Sequence, residues 1–335
     1  MLNYTIRRLF MALPTLLFIA LVIFALLELA PGDPMAQIPL SVPDTVKAQM
    51  REALGLDQPS HVRFQKWMWQ FFVVEPGVWM DSLFGTSLTQ DSTRVISWQT
   101  RSPVMDIIVQ RLPQTLWVVG LSYVVGILIA LPIGIYSAYR QYSAFDQLGT
   151  FVTMVGYSVP PFFSGVLMIV IFSVGLGWLP SIYDTTHRVV DWDSFVVQLR
   201  QMILPVLVLA FQTTAQISRY MRAAMLDNLN QDYVRTARAK GLSEPVVVMV
   251  HVLRNSMIPV ITVIALGLPQ IFGGAIITEQ IFGVNGLGQL LITAIKANDL
   301  PMVQSVTFMI AILIVLMNIL ADLIYGWLDP RIRYE

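Results

Sequence analysis

The sequence predicts an all-α polytopic membrane protein, and two observations are enough to say so. Of its 335 residues, 56% are hydrophobic and only 13% charged, with a mean hydropathy of +0.66; a water-exposed surface normally needs about 25% charged residues. The apolar residues are also gathered into six runs that match the ~20 residues a helix needs to cross the hydrocarbon core. Lys+Arg and Asp+Glu balance at 21 each, which excludes nucleic-acid binding by bulk electrostatics. There is no cysteine, and the three histidines, His61, His187 and His251, are expected outside the spans. No disulfide framework, cysteine nucleophile, metal site or Ser/His dyad is therefore expected in the membrane.

The first span, Leu9 to Ala30, follows Arg7 and Arg8. It is too long for the apolar region of a signal peptide, and Glu28 and Ala30 do not make a small-x-small cleavage pattern, so a retained helix is expected. The second span runs from about Thr115 to Tyr139 and the third from about Leu148 to Leu176, where Pro160 and Pro161 remove backbone donors and predict a kink or break. The fourth, about Met202 to Met221, contains Gln212, Thr213, Thr214 and Gln216, a cluster that is costly against lipid and should face protein or water. The fifth, about Met257 to Ile281, holds Pro259, Gly267, Pro269, Gly273 and Gly274, which suits either a moving gate or close helix packing. The sixth, about Val303 to Leu328, is interrupted by Asn318 and Asp322.

Between the first two spans, Pro31 to Pro113 carries Trp67, Trp69, Trp79 and Trp98 among polar residues, a small extramembrane module too short for a core of its own and expected to pack on the membrane domain. Loops at about 180–201 and 283–302 fall on the same side. Basic residues set the orientation. Arg7, Arg8, Arg140, Arg219, Arg222, Arg235, Arg238, Lys240, Arg254, Arg331 and Arg333 lie on one side, and the short loops opposite hold only Arg188, Arg200 and Lys296. By the positive-inside rule both termini are cytoplasmic.

The cytoplasmic stretch between the fourth and fifth spans, about 226–256, is the most informative segment. Arg235, Thr236, Ala237, Arg238, Ala239 and Lys240 read as a short helix stopped by Gly241, with a second helix at about Glu244 to Leu253. Such a helix, glycine turn and helix make a knob that a partner can grip, because glycine adopts backbone angles other residues avoid. A loop lying on anionic headgroups is the alternative.

The segment Tyr233-Val-Arg-Thr-Ala-Arg-Ala-Lys-Gly241 resembles the coupling motif of type I ABC transporter permeases, in the form found in the dipeptide/oligopeptide/nickel importer family. Arg235 stands where the general motif has an acidic residue, and the distance from Gly241 to Pro259 is longer than in the sugar-type pattern. Pro31-Gly-Asp-Pro34, Arg101-Ser-Pro-Val104, Arg111-Leu-Pro-Gln-Thr115, Gly156-Tyr-Ser-Val-Pro160, Thr278-Glu-Gln-Ile-Phe282, Gly286-Leu-Gly288 and Asp329-Pro-Arg-Ile-Arg333 extend the resemblance to B-type subunits along nearly the whole chain.

The resemblance implies a type I ABC importer fold, with residues 1–112 holding the first helix and the extracytoplasmic module and 113–335 holding the permease transmembrane domain of helices 2–6. It also implies residence in a bacterial or archaeal cytoplasmic membrane. The implied partners are a homologous C-type permease, two cytoplasmic ABC ATPases that bind ATP and Mg, and an extracytoplasmic substrate-binding protein. Residues 235 to 241 would couple to the ATPase. Gln212, Thr213, Gln216, Gly273 and Gly274 are candidates for the translocation path, with packing as the alternative for each.

Peptides are the expected cargo, with nickel complexes, opines, glutathione or oligosaccharides as alternatives. Lys47, Lys66, Lys240 and Lys296 each lack the preceding glycine of a Walker A, so no cofactor and no catalysis are expected on this chain. An ion-coupled transporter is disfavoured because Glu28, Glu279 and Asp322 sit toward span ends, where interfacial pairing is expected. A serine enzyme built on Ser158 would lack a histidine base in any span.

Overall fold

The computed structural model describes residues 2–29, 57–90 and 92–328, nearly all of them helical. Pro31 to Pro34 and Asp329 to Arg333, quoted above, lie outside the described residues. The helices are α1 (Leu2–Glu28), α2 (Ser60–Trp69), α3 (Glu75–Phe84), α4 (Val104–Tyr139), α5 (Ala144–Ser158) and α6 (Pro161–Gly175), then α7 (Trp192–Leu229), α8 (Asp232–Ala239), α9 (Glu244–Gly267), α10 (Gln270–Phe282), α11 (Leu287–Lys296) and α12 (Leu300–Leu328). Among the described residues five helices are long and apolar enough to cross a membrane, or up to seven if each of two bent pairs is one span, a range that includes the expected six.

The kink or break expected at Pro160 is a break: α5 and α6 meet there at 111°, because proline at the start of α6 withholds the donor that would continue α5. Three other expectations need correction. The fifth span is not 257–281. It starts at Glu244, absorbing the supposed second helix of the knob together with His251, and it stops before Pro269, after which α10 begins. The loop expected at 283–302 is mostly α11, reached after Gly283 at φ +65°, a left-handed angle that ends α10. Trp192 to Gln201, assigned to a loop, is the first part of α7, capped by Asp191, whose carboxylate accepts from the Ser194 N–H at 2.8 Å.

The described residues separate into two compact units, one of Met1–Ala12, Pro113–Gln289 and Leu313–Glu335 and the other of Leu13–Leu112 and Leu290–Ile312. The second unit contains the extramembrane module, and its core is aromatic. Trp67 and Phe71 meet Phe308 of α12 edge-on, with centroids 5.2 and 4.9 Å apart, and Phe64 meets Phe24 of α1 at 5.3 Å. The module therefore packs on span residues, as its length required. Of its tryptophans Trp67 is buried, whereas Trp69 and Trp79 are exposed.

Two charged groups staple the loops of this unit. Arg94 bridges the buried Glu75 (Nη2 to Oε2, 2.7 Å) and Asp106 (Nη1 to Oδ2, 3.0 Å), two carboxylates that raise the guanidinium above its ordinary pKa. Asp299, also buried, accepts from the backbone N–H groups of Trp98 (3.1 Å) and Met302 (3.4 Å) and from the Ser97 hydroxyl, capping α12 while clamping the 97–99 loop. Glu28 pairs with Arg63, the interfacial pairing expected of it.

In the first unit α7 is the central helix, and glycines set how closely its neighbours approach. A Cβ at Gly126 would stand 2.8 Å from Thr213 Cβ, and one at Gly134 would stand 2.6 Å from both the Ser218 carbonyl oxygen and Met221 Cβ. Gly126, the fully buried Ala130 and Gly134 make a small-xxx-small stripe along α4, the arrangement that lets helices touch at backbone distance in lipid. Thr214 donates to the Gly126 carbonyl at 3.2 Å across this seam. Asp146 near the start of α5 takes a two-point bond from Arg222 of α7 (2.6 and 2.8 Å), and Asp322 of α12 pairs with Arg8 of α1 at 2.9 Å.

The seam makes a direct prediction. Gly134→Leu should lower the thermal stability of the detergent-solubilised protein by about 1–3 kcal/mol, the ordinary range for overpacking. Gly120→Leu on the same helix, where nothing lies within 4 Å, should melt like wild type. Equal melting of the two variants would remove the seam from the account of the fold.

Candidate translocation and coupling sites

Gln212, Thr213 and Gln216 line one cleft in the first unit. Tyr123 of α4, Val263 and Gly267 of α9 and Gln270 and Ile271 of α10 complete it. The helical period explains the grouping, since positions 212, 213 and 216 share one face of α7. Gly273 and Gly274, the other path candidates, stand farther along α10 and are not among the residues lining the cleft; a Cβ at Gly273 would meet nothing within 4 Å. The cleft is polar without being charged, with three carboxamides, a threonine and a tyrosine facing apolar neighbours.

Tyr123 was not singled out from the sequence, yet it lines the cleft. Its hydroxyl donates to the Ile264 carbonyl, which α9 leaves open because the Leu268 N–H turns back to Ala265 (3.3 Å) and Pro269 has no N–H to give. Gly267 is required beside it, since a Cβ there would stand 2.9 Å from the Tyr123 oxygen. Pro269 was legible as a breaker. Which side chain would satisfy the freed carbonyl was not.

Residues 235 to 241 form the expected short helix and glycine turn. α8 ends at Ala239, and Gly241 takes φ +76°, a left-handed angle with open space around it. The helix is strongly two-faced. Val234 and Ala237 are buried against Val247, Val248 and Val252 of α9 and Met221 and Met225 of α7. Arg235, Thr236, Arg238, Ala239, Lys240 and Gly241 are exposed. Ala237 therefore seats the knob on the membrane domain and is not itself presented to solvent. Arg238 pairs with Glu244 across the turn (Nε to Oε1, 2.7 Å), and Arg235 lies 3.5 Å from Asp232.

Comparison with known proteins places the chain. Residues 130–334 match the family described as "Binding-protein-dependent transport system inner membrane component", and residues 1–119 match the N-terminal model of the same kind of membrane component. The chain belongs to this family. It is 37% identical to the oligopeptide transport system permease protein AppB of Bacillus subtilis over 99% of both chains, and 37% identical to the glutathione transport system permease protein GsiC of Salmonella paratyphi A over 100% of both. Its fold is shared with a chain of the MetNI methionine ABC transporter in an inward-facing conformation, at a TM-score of 0.54 and 20% identity, over 68% of this chain and 99% of that one. The protein is thus a multi-pass membrane permease subunit of an ABC importer with the type I fold.

The permease also holds a buried carboxylate that sequence reading misplaced. Glu279 was expected to pair at an interface; it is instead fully buried. Its carboxyl accepts from the N–H groups of Gly288 (2.7 Å) and Gln289 (3.2 Å), the first turn of α11, and from the Thr115 hydroxyl (2.7 Å), whose oxygen in turn accepts from the Leu287 N–H (2.8 Å). A Cβ at Gly286 or Gly288 would overlap this arrangement, so both glycines are needed for close approach. The fragments Thr278 to Phe282 and Gly286 to Gly288, quoted separately for the resemblance, are one capped turn.

Replacing Glu279 by leucine should orphan buried donors at about 1–3 kcal/mol each and lower the melting temperature in detergent. Glu279→Gln, which keeps an acceptor of the same shape, should lose less. Identical melting of Glu279→Leu and wild type would show that the cap contributes nothing.

Proposed function

We propose that the protein imports peptides as the B-type half of a heterodimeric pore, beside a homologous C-type permease. Two partner ATPases would supply ATP hydrolysis, and an extracytoplasmic binding protein would deliver the cargo. The observation that carries this reading is end-to-end similarity to permeases named for oligopeptide and glutathione transport, together with a "putative peptide transport system permease protein" of Brucella abortus at 36% identity over 98% of this chain.

Orientation follows from counting α5 with α6 as one crossing and treating α10 with α11, bent by 71°, as re-entrant. Six crossings result, both termini share a side, and α8 with its basic surface faces the cytoplasm, in keeping with the positive-inside rule. The cleft of Gln212, Thr213 and Gln216 is the proposed stretch of the translocation path. Carboxamides and hydroxyls can pair with peptide groups, and a lining without charge repels neither sign of cargo side chain. α9 links the two sites mechanically. It packs under the knob at Val247 and Val252 and ends at Gly267 on the cleft, so that a push on α8 is delivered to the residues around Tyr123.

Reporter fusions at Arg140 and Gly241 should report cytoplasm and fusions at Trp79 and Asp191 the opposite side; an outside signal at Gly241 would overturn the model. A sharper test is Gly241→Asp. The space around this position is open and Asp tolerates left-handed angles, so the subunit should still fold and reach the membrane. In reconstituted vesicles with its partners, transport and binding-protein-stimulated ATP hydrolysis should nonetheless fall at least about tenfold, as expected when a charge is forced into a tight interface. Normal coupling in that variant, with a larger loss on removing the charges of Arg235 and Arg238, would favour a loop that merely lies on headgroups.

A further inference from the structure

We propose that a second cleft in the first unit, between α4, α5 and α7, binds the phosphate of an anionic phospholipid. The site goes beyond the transport reading and does not depend on it. Ser137, Thr150, Ser218, Arg219 and Arg222 line it. Ser218 is 2% exposed, and its hydroxyl has no hydrogen-bond partner among the described residues, an unmet polar group in the wall of a cleft that also holds two arginines. A buried hydroxyl in that state lacks an acceptor for its proton, which a phosphate oxygen would supply.

The charges fit one phosphodiester. Arg222 spends Nε and Nη2 on Asp146, and its Nη1 has no partner among the described residues. Arg219 lies over the Tyr157 ring, 4.8 Å from its centroid, and no carboxylate among the described residues pairs with it. Two guanidinium groups and one carboxylate leave a single net positive charge, the complement of the single negative charge on a phosphodiester.

Depth and surroundings select a lipid over a soluble anion. Ser137 is two residues from the end of α4 at Tyr139, hence about 3 Å along the axis, and Arg140 follows directly. That is headgroup depth. On α5, Phe151, Met154 and Tyr157 are exposed on turns overlapping and following the lining residue Thr150, giving acyl chains an apolar surface. Gly149 also lines the cleft, where a Cβ would reach ordinary contact, 3.4 Å from the Ser137 hydroxyl, so a longer side chain would extend into the space.

The test uses the permease purified in detergent with the subunits that accompany it, titrated with palmitoyl-oleoyl-phosphatidylglycerol, with phosphatidylcholine of the same chains, and with inorganic phosphate, reading retained lipid by native mass spectrometry. Phosphatidylglycerol should be retained over phosphatidylcholine, and Arg219→Gln should weaken its retention about fivefold, the effect of one basic contact. Gly149→Leu, which fills the cleft without changing a charge, should do the same, so the result does not hang on one variant folding. Equal retention of the two lipids overturns the proposal, as does unchanged phosphatidylglycerol binding in both variants. Displacement of the lipid by inorganic phosphate at equal concentration would assign the cleft to a soluble anion and also overturn it.

Discussion

A backbone polar group left open in an apolar setting costs several kcal/mol, and this chain breaks its apolar helices at Pro160, Pro269 and Gly283. Each break must therefore be closed by something nearby. At Pro269 the open Ile264 carbonyl is taken by Tyr123. After Gly283 the first N–H groups of α11 are taken by Glu279 and Thr115. At Pro160 the turn closes on itself, with the Phe163 N–H and the Ser164 hydroxyl both reaching the Pro160 carbonyl. Of the side chains that close these breaks, only Glu279 had drawn notice in the sequence as a polar residue within a span.

The same constraint shapes the two candidate sites. Ending α9 at Gly267 leaves an irregular corner where α9, α10, α4 and α7 meet, and irregular backbone at membrane depth is tolerated where it lines a cavity. The cleft bearing Gln212 and Gln216 is that corner. At its other end α9 opens with a π-widened stretch, Val247 to Val252, whose buried valines receive Val234 and Ala237 of α8. A knob seated by apolar packing on the start of a helix that finishes at the cleft gives a short path between a cytoplasmic contact and the proposed pore.

Close approach of α4 to α7 gives this arrangement a firm base. Lipid supplies no hydrophobic drive for one helix to seek another, so association relies on packing and on bonds such as Thr214 to the Gly126 carbonyl. Gly126, Ala130 and Gly134 bring the helices close enough for both. The Asp146 and Arg222 pair then fixes α5 to the same central helix, while leaving one guanidinium edge of Arg222 turned to the second cleft.

Much of this protein was legible in its sequence because the bilayer enforces long apolar runs and glycine and proline act locally. The membrane class, most of the spans, the break at Pro160, the turn at Gly241 and the shared face of Gln212, Thr213 and Gln216 needed only composition, length and helical period. The resemblance to importer permeases was legible for the same reason, since its fragments are contiguous. What stayed hidden depends on partners distant in the chain. Glu279 is written like a residue at a span end, and only the arrival of Thr115 and the first turn of α11 makes it a buried cap. Tyr123 is an ordinary aromatic until α9 stops beside it. Ala237 sits among exposed coupling residues, and only packing on α9 shows that it faces inward. Period and punctuation are properties of neighbours in sequence, whereas the satisfaction of an open carbonyl or amide in lipid is decided by whichever side chain the fold brings to it.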